Sequence, residues 1–158
     1  MLEKILVCLD GSDLAEQILP FIEEEAVRFG KVILLRVVAT PEVTLPLGVP
    51  GAPGVSMHTE GMLEHFQKGL AEAPVYLEKM AQPLRERGAD VECVVLEGIP
   101  GEAIVSYAKD NGVGIIAVAT HGHSGFRSVI LGSTAAYVLK NSGLPILMVS
   151  PVKHKKSA

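Results

Sequence analysis

Residues 114–134 read GIIAVATHGHSGFRSVILGST. The first seven, GIIAVAT, form a short apolar run rich in β-branched side chains. Such a run, bounded by turn residues, predicts a buried strand. Glycines, histidines and hydroxyl residues follow it for about a dozen positions. The pair Gly132-Ser133 then opens a helix predicted to run to Asn141. A strand, a long polar turn and a helix in this order make one β-loop-α unit. The length of the turn allows two readings, plain chain reversal or a cradle for an anionic ligand such as phosphate.

Working outward, the same unit recurs. KILVCL (4–9) predicts a first strand that stops at DGSD, where Asp13 and Glu16 have capping-box spacing. Leu14, Ile18, Ile22 and Ala26 give the following helix one apolar face, Pro20 is placed to kink it and Gly30 ends it. KVILLRVV (31–38) is apolar nearly throughout, as a strand buried on both faces of a parallel sheet must be. Residues 39–56 are rich in Pro and Gly and predict a surface loop or a lid. Helical periodicity runs from about Thr59 to Gly88, with Pro74 and Pro83 placed to bend or divide it. DVECVVLEG (90–98) predicts a third strand. Pro100 suits the first turn of the next helix, and PILMVS (145–150) is a fifth strand.

Strands and helices therefore alternate from end to end. That order predicts an α/β fold: one doubly wound, five-stranded parallel sheet with helices on both faces. A single domain is expected over 1–150, with a polar tail at 151–158. Ligands in such sheets lie beyond the carboxyl ends of the strands, where the strand order reverses. The loops after strands one, two and four converge there, which makes the 119–134 stretch a candidate site.

Composition narrows the function. With 48% apolar residues and no tryptophan, the core is aliphatic. A net charge of −4 lacks the basic face that nucleic acid or an anionic membrane requires. Cys8 and Cys93 sit inside apolar runs and read as reduced core residues. The first residues lack a signal-peptide pattern, and no apolar stretch reaches membrane-spanning length, so a cytoplasmic protein is expected.

Within the candidate site, Gly122 and Gly125 let backbone N–H groups approach a ligand. Gly132 and Ser133 place the electropositive start of a helix beside it, and Ser133 and Thr134 add hydroxyl donors. Ser133 is equally suited to be a simple N-cap. Asp10 ends a strand at the same edge and can accept ribose hydroxyls or hold a metal through water; an Asx turn or cap suits Asp13 better than Asp10. His121 and His123 are too close in sequence to make a metal site alone, and no metal ligand is assigned. Arg127 reads as a solvated surface residue. No Ser-His-Asp order and no paired catalytic carboxylates appear, so no catalytic residue is assigned.

The stretch contains neither a Walker A loop nor GxGxxG. It resembles the universal stress protein family, whose nucleotide-binding members carry Gly-x-x-Gly, nine residues, then Gly-Ser/Thr after strand four. Gly122, nine intervening residues, Gly132 and Ser133 match, while the first position is Ala119 rather than glycine. LVCLDGSDLAEQIL (6–19) and LPILMV (144–149) are also similar to the family. The resemblance implies strand order 3-2-1-4-5 and ATP, with magnesium, at the carboxyl edge of the sheet. It implies phosphates on Gly122, Gly132, Ser133 and Thr134, the ribose at Asp10, and the adenine edge on Val37. Ala119 and His121 would lie along the ribose and phosphates. It further implies a homodimer paired through strand 145–150 and a nucleotide-dependent role in stress response. A slow ATPase and a structural dimer without nucleotide are the alternatives.

Overall fold

The computed structural model describes residues 3–41, 55–120 and 131–150, with 55–59 as backbone only. Five strands, β1 (Lys4–Cys8), β2 (Lys31–Ala39), β3 (Val91–Gly98), β4 (Ile115–Ala119) and β5 (Ile146–Val149), form one sheet. Its order is β3-β2-β1-β4-β5, and every neighbouring pair is parallel. The helices are α1 (Asp13–Glu16), α2 (Leu19–Glu25), α3 (Val55–Glu86), α4 (Pro100–Asp110) and α5 (Ser133–Asn141).

The two-residue period of the strands divides the core into two layers. Ile5, Val7, Val32, Leu34 and Ala117 face Ile18, Ile22, Leu77 and Leu84 on one side. Leu6, Ile33, Leu35, Ile116 and Val118 face Ile104, Ala108, Ala135 and Val138 on the other. The first helices and α3 thus cover one face, and α4 and α5 cover the other. Consecutive buried residues in β2, Val32 to Leu35, follow directly from this double coverage.

Three local expectations change. Residues 13–28 are not one kinked helix: α1 and α2 are separate, and a 3-10 turn completes Ala26–Arg28. Pro20 causes the break, because it sits in the first turn of α2 and lacks the N–H an interior turn would need. The cap of α1 is Ser12, not Asp13; its Oγ accepts from the Ala15 N–H at 3.2 Å. The long third helix is not divided, since α3 continues through both Pro74 and Pro83. Of the stretch 39–56, residues 42–54 lie outside the described residues, as do 121–130 and the tail 151–158.

The chain leaves β1 towards β2 and β3 and later returns to β4 and β5 on the other flank of β1. The strand order therefore reverses between β1 and β4. Everything that follows is built at the carboxyl end of that junction.

Candidate functional site

β1 ends at Cys8, and the turn Leu9–Ser12 leads into α1. Asp10 Oδ1 accepts from the Ser12 N–H at 2.9 Å and from Ser12 Oγ at 2.6 Å. The Asx turn, set against the ribose role in the sequence reading, is real, and it fixes the Asp10 carboxyl at the sheet edge. Gly11 has φ +86°, a left-handed conformation that keeps the turn tight.

On β2 the hydrogen-bonding direction alternates along the strand. The Val32 and Thr40 N–H groups donate towards β3, to Asp90 and Gly98. The Leu35 carbonyl instead accepts from Leu9 on the β1 side. Val37, two residues on, directs its backbone groups to that same side, beyond the end of β1. This geometry directs a backbone donor and an acceptor of Val37 towards the space past the end of β1.

Ala119 is the last residue of β4 and pairs with Val149. Thr120 follows, buried, with its N–H donating to the Val149 carbonyl at 2.9 Å. Gly132 is the N-cap of α5, and its carbonyl accepts from Ala136 at 2.9 Å. Ser133 is thus the first helical residue and not the cap, and it is exposed.

These ends enclose a cavity of about 110 Å³ lined by Cys8, Leu9, Asp10, Val37, Ile104 and Ala119, with Gly132 and Thr134 at the start of α5. The structure therefore brings Asp10, Val37, Ala119, Gly132 and Thr134 together. Ser133 adjoins them but does not line the cavity, and His121 and Gly122 lie outside the described residues. Pro100 and Ile104, which wall the cavity from α4, were not singled out from sequence. Only the chain crossing between β3 and β4 brings them there, although Pro100 itself marked the helix start.

Among the described residues, no group of three or more His, Cys, Asp or Glu side chains could hold a metal. Cys8 is buried in the cavity wall, and burial pushes its thiol up to about 12. Cys93 is raised to about 11, first by burial and then by the Glu78 carboxylate. Both cysteines are free thiols. The native state holds these protons more tightly than the unfolded chain, so the thiols favour folding fully below the ordinary value of 9.0. That contribution is lost as pH rises from there towards 12. Urea titrations of wild type and Cys8→Ala at pH 7.5 and in alkali are expected to show a steeper alkaline loss for wild type.

A doubly wound sheet with an apolar cavity and a helix start at its switch point has the organisation of a small-ligand-binding α/β protein. The family model for universal stress proteins matches residues 1–150, and the chain belongs to that family. The universal stress protein MJ0577 of Methanocaldococcus jannaschii is 33% identical over 156 residues, 94% of this chain and 95% of that one. YxiE of Bacillus subtilis is 28% identical, covering 94% of this chain and 99% of its own. The solved structure of MJ0577 superposes with a TM-score of 0.75 at 31% identity, covering 99% of both chains. A universal stress protein from Archaeoglobus fulgidus, solved in complex with dAMP, shares the fold with a TM-score of 0.58. Its identity is 24%, over 94% of this chain and 98% of that one. The family and the 3-2-1-4-5 fold expected from the sequence are both found.

Proposed function

We propose that this chain binds an adenine nucleotide, ATP with magnesium, at the carboxyl edge of the sheet and acts as a nucleotide-dependent regulator in stress response. The observation that carries this reading is the cavity between the ends of β1, β2 and β4 and the starts of α4 and α5. At about 110 Å³ it is well below the roughly 300–1,000 Å³ typical of whole-ligand pockets, so it suits a base alone. Aliphatic walls from Leu9, Val37, Ile104 and Val118 fit a planar base, and the backbone of Val37 fits its polar edge. We assign the ribose to Asp10. The first turn of α5, from Gly132 to Thr134, offers phosphate N–H groups that have no partner within the helix. Ala119, His121 and Gly122 complete the assignment along the ribose and phosphates. The dAMP-bound relative supports this choice of ligand.

Magnesium fits this site as the nucleotide's own companion. It keeps most of its water and binds phosphate oxygens, and the described residues offer it no cage. The roles proposed for these residues are to bind and orient the nucleotide, and slow hydrolysis on the same fold is the alternative. Calorimetric titration of ATP and magnesium into nucleotide-free protein is the direct test, and absence of binding overturns the reading.

We further propose a cytoplasmic homodimer paired through residues 145–150, with 1–150 as the folded unit. No helix among the described residues is long and apolar enough to cross a membrane. β5 is an edge strand, hydrogen-bonded to β4 alone among the described residues, and Leu147 on it is exposed. An uncovered apolar edge of this kind invites strand pairing. Leu147→Arg is expected to weaken the dimer at least about tenfold by placing a charge in the seam. Sedimentation velocity over a concentration series reads this, and an unchanged dimer places the interface elsewhere.

A further inference from the structure

A second and larger cavity, of about 700 Å³, opens between the end of β2 and α3. It is lined by Asp10, Arg36, Val37, Met62, His65 and Phe66 among others. It shares Asp10 and Val37 with the smaller cavity but lies on the α3 side of the sheet edge. None of the resemblance-derived roles uses Arg36, His65 or Phe66.

Arg36 is the chemically distinctive group here. It is half-buried, and its guanidinium lies 5.2 Å from the centroid of the Tyr76 ring, which supports it by a cation–π contact. The other flank is Gly11, where an added Cβ would come 3.2 Å from the guanidinium carbon. The absent side chain therefore makes the space Arg36 occupies. Among the described residues no carboxylate forms an ion pair with it, although six other pairs involve Arg28, Lys31, Lys68, Arg85 and Arg87. Asp10 on the same wall accepts both bonds from Ser12 on its Oδ1. A partly desolvated arginine that forms no ion pair among the described residues favours an anionic group, ideally a planar one it can meet with two parallel N–H bonds. Phe66 and Met62 supply an apolar wall beside it, and the volume lies within the range of small-molecule sites.

We propose that this cavity is a second ligand site, taking a small molecule with an aromatic body and one anionic group, the anion on Arg36 and the ring against Phe66 and Met62. The site stands beside the nucleotide cavity and does not depend on nucleotide being bound.

The test uses two fluorescent probes of the same body, anilinonaphthalene sulfonate and the uncharged phenyl-naphthylamine, with the full chain. The sulfonate is expected to bind one site at least about tenfold more tightly than the neutral probe, as a charge-assisted contact requires. Arg36→Gln is expected to remove that preference, Arg36→Lys to keep part of it, and Phe66→Ser to weaken both probes. Saturating ATP with magnesium is expected to leave the sulfonate bound. Equal affinity of the two probes for wild type overturns the proposal without any variant. So does a preference that survives in folded Arg36→Gln, or affinities that Phe66→Ser leaves unchanged. One-for-one displacement by ATP also overturns it, because the probe then sits in the nucleotide cavity. Failure of ATP to bind at all, with the probe results as expected, removes the nucleotide reading and leaves this one standing.

Discussion

Replacing Gly132 with Asp is expected to lower affinity for ATP and magnesium at least about 100-fold, as measured by calorimetry. That corresponds to the loss of about one charge-assisted contact plus a like-charge repulsion. Gly132 caps α5 and lines the cavity, so a carboxylate there stands where the nucleotide phosphates are proposed to lie. The substitution separates binding from folding unusually well. Gly132 has φ −58° and ψ 155°, a conformation open to any residue, so no backbone strain follows. Among the described residues no side chain caps α5, and Asp is among the best N-caps, so its carboxylate can accept from the N–H groups of the first turn. The melting temperature is therefore expected to hold or rise while binding is lost. The same capping bonds would occupy the donors that phosphate needs. Undiminished binding would remove the start of α5 from the site and leave only the cavity walls.

The layering of the fold could be read because two simple periods carry it. Runs such as KVILLRVV have no polar face to expose, which dictates strands covered on both sides. Alternation with helices then dictates a parallel sheet. The strand order came from resemblance, since composition and period say nothing about which strand lies beside which. Local endings were harder. Ser12 and Asp13 are both good caps, and the choice was settled by Asp10, whose carboxyl binds Ser12 and holds it at the helix start. Gly132 and Ser133 posed the same ambiguity, resolved one residue earlier than the cap reading of Ser133 had it. Asp10 was legible because sequence marks where the first strand stops, whereas Val37 and Ala119 were named only through the family resemblance. Arg36 and Ile104 were not legible. Each lies within an element, and only packing across the switch point brings it to a cavity.

That packing is testable at Gly101, where α4 and α5 meet. A Cβ on Gly101 would lie 2.8 Å from the Cβ and Cγ of Tyr137 and 2.9 Å from its Cδ1. The ring can rotate away, since Tyr137 is partly exposed, but its Cβ is fixed to the α5 backbone. A side chain at 101 must therefore push the two helices apart. Gly101→Val is expected to cost about 3 kcal/mol in urea unfolding, the upper part of the usual range for overpacking. Gly101→Ala meets the same Cβ but gains up to about 1 kcal/mol of helix propensity, so its net cost should be smaller. Tyr137→Ala removes the Cγ and Cδ1 overlaps and leaves the Cβ one. Combined with Gly101→Val it should recover part of the loss, and a double-mutant cycle measures how much. The effect reaches the site, because Pro100 and Ile104 on α4 and Gly132 and Thr134 at the start of α5 face one another across the cavity. Separating the helices widens the slot proposed for the base, and Gly101→Val should weaken ATP binding about tenfold even where the protein remains folded. If Gly101→Val were as stable as wild type and bound ATP equally well, the close helix contact would not be what sets the width of the nucleotide cavity.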